Sequence, residues 1–197
     1  MSKREPTEET FLKDVRKHQI QVLRDDGEYR HVRFSNGSYC MQFDLITWPG
    51  YLAYSGDMGC YVFSRIRDMF EFFRGKPEGP LAINLGYWHE KVEAQARHDG
   101  VKEYQPEKFR EQVERWLESL EATEEQRQAV ELEVLRYADD GEHEAMRAAM
   151  DFEHDGFRLT DFWEANCTEY TYRYIWCCYA LVWGIRQYDA SKVESVA

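Results

Sequence analysis

The sequence predicts an α+β protein, with an N-terminal antiparallel meander of about four to five strands followed by a helical C-terminal half. Three observations predict it. Between residues 20 and 63, short runs of β-forming residues alternate with glycine turns. From residue 64 to residue 188, apolar residues recur at three- and four-residue spacing instead. No internal repeat or low-complexity linker separates the two parts. Strands gathered first and helices afterwards define the α+β class. The whole chain, 1–197, is expected to be one domain with a frayed tail at 189–197.

In chain order, Thr7 precedes Phe11, Leu12 and Val15, and the spacing predicts a short helix over 7–19. Ile20-Gln-Val-Leu23 and Tyr29-Arg-His-Val-Arg-Phe34 flank Asp26-Gly27. Such a pair is a hairpin signal, because the turn needs positive φ and glycine adopts it without a Cβ clash. Asn36-Gly37, Pro49-Gly50 and Gly56-Asp-Met-Gly59 repeat the signal before Cys40–Trp48, Tyr51–Tyr54 and Tyr61–Phe63. Ser64 is expected to cap a helix over 65–74, and Asn84 one reaching Ala96. Pro106 suits a first helical turn, and the segment after it buries Phe109, Val113, Trp116, Leu117 and Leu120. Thr123-Glu-Glu-Gln126 is a capping box. Residues 142–153 read as helix. A last long helical segment starts near Thr160, interrupted near Cys167 and rich in Trp and Tyr, with Asp161, Glu164 or Glu169 expected to satisfy its hydroxyls.

Composition bounds the function. The chain has 197 residues and a net charge of −12, which argues against nucleic-acid coating or polybasic membrane binding. The charge is uneven: residues 101–155 hold seventeen acids against seven bases. The N-terminal MSKREPTEET lacks the apolar core of a signal peptide, and the apolar run Ile175–Trp183 is far below the roughly 20 residues of a membrane span. Five scattered cysteines, an odd number, suit reduced thiols in a cytosol.

Two constellations stand out. Glu107, Glu111, Glu114, Glu118 and Glu121 follow helical spacing along one stripe, and Asp139, Asp140, Glu142 and Glu144 add a dense acidic turn. Together they can imitate the phosphate array of a nucleic acid before a basic protein groove. They also suit a solvated helix face, the more ordinary reading, since Glu is a good helix former and surface charge alone mostly serves solubility. On the strand 29–34, alternation places Tyr29, His31 and Arg33 on one face, an arrangement able to stack on and pair with a nucleotide. Ordinary half-exposed strand residues give the same pattern. No catalytic, metal-binding or cofactor-binding set is assigned. Cys177 and Cys178 are adjacent and diverge on a helix, and C-x-x-C, H-x-x-x-H and G-x-S-x-G are absent. Asp57 between glycines reads as a turn residue.

Several stretches taken together carry a resemblance. They are Thr10-Phe-Leu-Lys-Asp-Val15, Val22-Leu-Arg-Asp-Asp-Gly-Glu-Tyr-Arg-His31, Phe43-Asp-Leu-Ile-Thr-Trp-Pro-Gly-Tyr51, Ser55-Gly-Asp-Met-Gly59, Asp68-Met-Phe-Glu-Phe-Phe73, Thr168-Glu-Tyr170, Ile175-Trp-Cys-Cys-Tyr-Ala180 and Trp183-Gly-Ile-Arg-Gln-Tyr188. The chain resembles a family of small hypothetical proteins of tailed bacteriophages and prophages. The resemblance implies a phage accessory protein in the cytoplasm of a bacterial host. Phage accessory proteins often block host defences or redirect host enzymes, so the resemblance implies a host protein as partner, and the acidic surface adds the expectation that this partner binds nucleic acid. The family has no assigned activity, so the resemblance transfers no functional residue.

Overall fold

The computed structural model describes residues 6–97 and 100–194. It is α+β, with a six-stranded antiparallel meander on the N-terminal side and helices after it. Two compact units divide the chain: Met1–Val101 with Tyr170–Ala197, and Lys102–Glu169.

In the first unit, α1 (Glu8–Val15) opens with a capping box in which Thr7 and Thr10 satisfy each other's amides. The strands β1 (Gln19–Asp26), β2 (Tyr29–Ser35), β3 (Phe43–Trp48), β4 (Tyr51–Gly56), β5 (Gly59–Ser64) and β6 (Val92–Gln95) lie in sequence order. Gly27 and Gly50 sit at positive φ in the β1–β2 and β3–β4 connections, as the glycine turns predict. β6 replaces part of an expected helix. Asn84 does cap, but the helix, α3, covers only Leu85–His89. The chain then extends so that Val92 and Ala94 pair with Phe63 and Val62, supplying hydrogen-bond partners to an otherwise open sheet edge. Ser64, expected to cap a helix over 65–74, instead ends β5. The cap of α2 (Met69–Phe73) is Asp68, whose carboxylate accepts the Phe70 amide at 3.0 Å.

Register fixes the two faces of the sheet. Val32, Phe34, Phe43, Leu45, Leu52, Tyr54, Tyr61 and Phe63 share one face, all fully buried. Against them packs α7 (Tyr172–Glu194), with Tyr174, Trp176, Cys177, Cys178, Ala180, Leu181, Val182 and Ile185 in the same core. Its apolar residues run round most of the helix because α1 and α2 pack against it too: Phe11 meets the Trp176 ring edge-on at 5.0 Å, and Phe70 meets Tyr188 at 5.2 Å. Where α7 crosses the sheet, Gly184 permits the approach. A Cβ there would stand 2.9 Å from Leu45 Cδ1 and 3.1 Å from Phe34 Cε2.

The expected frayed tail is corrected: residues 189–194 continue α7, with Asp189 held by two hydrogen bonds from Arg74. Residues 195–197 lie outside the described part. The buried polar groups of α7 also find partners other than those expected. Tyr174 donates to the Leu85 carbonyl, Trp176 to Asp14 and Tyr188 to Asp25.

The second unit has its own core of Phe109, Val113, Leu117, Ala129, Val130, Val134, Ala138, Ala145, Ala149, Phe152, Leu159, Phe162 and Cys167. Its helices are α4 (Pro106–Ser119), α5 (Glu124–Glu133) and α6 (Glu142–Asp151). Pro106 stands in the first turn of α4, and the Thr123–Gln126 capping box starts α5. The segment expected to be helical from Thr160 instead forms a 3-10 turn, Phe162–Glu164, and then a strand, β8 (Thr168–Tyr170). β8 pairs with β7 (Lys102–Tyr104) in a two-stranded sheet. Thr171 then starts α7, its hydroxyl accepting the Tyr174 amide at 3.2 Å.

Candidate functional site

Twenty acids and eight bases fall within Lys102–Glu169, while seventeen of each fall in the rest of the chain. The whole net charge of −12 therefore belongs to the second unit. α4 orients much of it. Burying Phe109, Val113 and Leu117 on one side leaves Glu107, Glu111, Glu114 and Glu118 exposed on another. Glu121, the expected fifth member of the stripe, is not on the helix. α4 ends at Ser119, and Glu121 takes a left-handed turn conformation with φ 51°. Leu120, expected on the buried face, is partly exposed for the same reason.

Ion pairs neutralise part of this surface. Arg127 pairs with Glu114, Arg110 with Asp139, and Arg147 with Glu144. Glu107, Glu111, Glu118, Glu121, Asp140 and Glu142 are exposed and hold no ion pair among the described residues. In the same unit Glu133, Glu144 and Asp151 line a hollow of about 250 Å³ with Tyr137, Arg147 and Phe152. The six unpaired carboxylates and this hollow favour cations and disfavour anions.

The sheet places Tyr29, His31 and Arg33 on the face opposite the core. There β3 supplies a residue that the sequence did not single out, Asp44. Arg33 lies directly across from it in the ladder and His31 diagonally. Arg33 donates to both Asp44 oxygens at 2.8 Å, and His31 Nε2 lies 2.8 Å from Oδ2. Burial alone would raise the Asp44 carboxyl pKa, but the hydrogen bonds from Arg33 and His31 outweigh it, and the pKa falls below its ordinary value. The cation an incoming phosphate would seek is thus already engaged. Tyr29 stands apart from this cluster, with the Arg24 guanidinium over its ring. The only sequence signal for Asp44 was a charged residue between Phe43 and Leu45 in a strand.

On the core side of β2, Arg30 forms a second such cluster. Both its terminal nitrogens donate to Asp68 at 2.8 Å, and its guanidinium lies over the Phe70 ring at 4.9 Å. Burial would lift the Asp68 carboxyl pKa, yet Arg30 and the Phe70 amide hold it below the ordinary range. These charges anchor α2 to the sheet.

All five cysteines are free thiols. Burial raises the Cys167 thiol to about 11, reinforced by the charge of Glu142, and burial also raises Cys178. Neither is a thiolate at neutral pH. Asp57 accepts the Met41 amide at 2.9 Å, a turn clamp. Among the described residues no group of three His, Cys, Asp or Glu side chains is placed to hold a metal ion, and no helix is long and apolar enough to cross a membrane. No protein-family model, curated protein or solved structure matches the chain.

Proposed function

We propose that this protein is an accessory binding protein whose segment 102–169 occupies a basic surface of a host protein, in the manner of a nucleic acid. In the phage setting that the sequence resemblance implies, the partner is a nucleic-acid-binding protein of the bacterial host, inhibited or redirected by losing that surface. The observation supporting this reading is the confinement of the entire net negative charge to one unit, with six exposed carboxylates not neutralised in place. A charge serving only solubility has no reason to gather on one unit while the other stays neutral. Long-range attraction of this kind speeds encounter and rejects anionic competitors.

The test is capture from a bacterial lysate by the tagged full-length protein, compared with a Glu107→Lys, Glu111→Lys, Glu118→Lys variant. Glu114 is left intact because its reversal would break the pair with Arg127. The expected result is one nucleic-acid-binding protein retained at low salt. It should be released by competing duplex DNA, by the triple variant and by about 1 M salt, where the Debye length is roughly 3 Å. Retention of that protein by the variant, undiminished, refutes the reading.

A further inference from the structure

A cavity of about 320 Å³ lies in the first unit. Its walls are the end of α2, the loop after it and the last turns of α7. Among the described residues three cations line it, Arg74, Lys76 and Arg186, with one anion, Asp189. Asp189 is already committed, accepting two hydrogen bonds from Arg74 at 2.8 and 3.1 Å. Lys76 is exposed and has no ion pair among the described residues. Arg186 donates through Nη1 to the Gly79 carbonyl at 3.0 Å, while its Nε and Nη2 have no acceptor among the described residues and almost no accessible surface, so a small side-chain shift must turn this edge into the cavity. A guanidinium edge of this kind is a two-pronged donor with the geometry of a carboxylate, and leaving it unsatisfied is costly. The rest of the lining is apolar: Pro77, Ala190 and Val193, the last largely exposed.

We propose that this cavity binds a small organic carboxylate with an apolar body, its carboxylate on Arg186 and Lys76 and its body against Pro77, Ala190 and Val193. The unit as a whole carries no net charge, so the local excess of two positive charges is a feature of this spot. Arg74 closes the site by holding α7 to the end of α2 through Asp189. The apolar lining favours an organic acid over a bare inorganic anion, which would forgo the contact with Val193 and Pro77. The inference is independent of the acidic unit.

The test is an amide NMR titration of the full-length protein with sodium benzoate, set against sodium phosphate, benzyl alcohol and sodium chloride. Benzoate is expected to give saturable shifts at Gly75, Lys76, Ala190 and Val193, with phosphate weaker and benzyl alcohol without effect. Lys76→Met changes an exposed side chain and keeps the fold, and it should weaken benzoate about tenfold, the usual scale of one charge-assisted hydrogen bond. Arg186→Lys retains the charge but loses the fork and should weaken it at least as much. Absence of saturable shifts with benzoate, an equal response to benzyl alcohol, tighter binding of phosphate than benzoate, or unchanged affinity in Lys76→Met would each overturn the proposal.

Discussion

Replacing Asp44 by Asn tests whether the charged cluster on the outer sheet face holds the strands together. Asn keeps the shape but loses the charge, and it turns an amide N–H toward donors. The carboxylate is nearly buried, with 12% of its side chain exposed, and it receives two hydrogen bonds from Arg33 and one contact from His31. A hydrogen bond to a charged group contributes about 1.5–3 kcal/mol. Arg33 is 38% exposed, so water recovers part of what it loses. The expected net loss is about 2–3 kcal/mol, below the roughly 3–5 kcal/mol found for breaking fully buried pairs. Urea unfolding followed by circular dichroism reads it as a lower midpoint at unchanged slope. The sign with pH is fixed. Because the folded carboxyl is depressed below its ordinary 3.8, its contribution is present above that value and fades as pH falls through the folded pKa. The gap between wild type and variant should therefore close in acid. A loss under about 0.5 kcal/mol, the level of an exposed pair, would refute the reasoning. So would a gap that persists unchanged to about pH 2.

Gly184→Ala should destabilise despite the helix-propensity gain of about 1 kcal/mol. The added methyl meets Leu45 at 2.9 Å in a filled core, and overpacking costs about 1–3 kcal/mol. A raised urea midpoint would mean that the helix–sheet spacing is looser than described. In native protein a thiol reagent should label Cys40 at once and Cys60 more slowly, whereas Cys167, Cys177 and Cys178 react only on unfolding. Mass spectrometry of the labelled peptides checks it, and fast labelling of Cys177 or Cys178 contradicts their burial in the core that α7 shares with the sheet.

The meander was legible because its information is local. Gly27, Gly37 and Gly50 mark turns by backbone conformation, and each takes the positive φ that a turn glycine is there to supply. The capping box at Thr123 is equally local, three residues from Thr123 to Gln126. β6 was not legible, because a four-residue strand acquires its conformation from the β5 edge it meets and not from its own sequence. The same holds for β8, three residues long, which interrupts what reads as helix from Thr160. The acidic stripe on α4 followed from spacing, but its end at Ser119 did not. Asp44 and Arg186 illustrate the harder case: each matters through residues distant in sequence, so neither had a motif around it. Alternation placed His31 and Arg33 on one face, but only the β2–β3 register revealed that they share a carboxylate.

The chain leaves the first unit at Val101 and returns at Tyr170, and this junction is tied. Thr171 donates its amide to Val101 at 3.0 Å and its hydroxyl to Gly100 at 2.8 Å, both within the first unit. Ends fixed this close impose a short closure, so shortening or exchanging the intervening sequence changes little chain entropy. Residues 102–169 are thus an insertion between two fixed ends, and a segment of another length can take their place without a large change in the closure entropy of the frame.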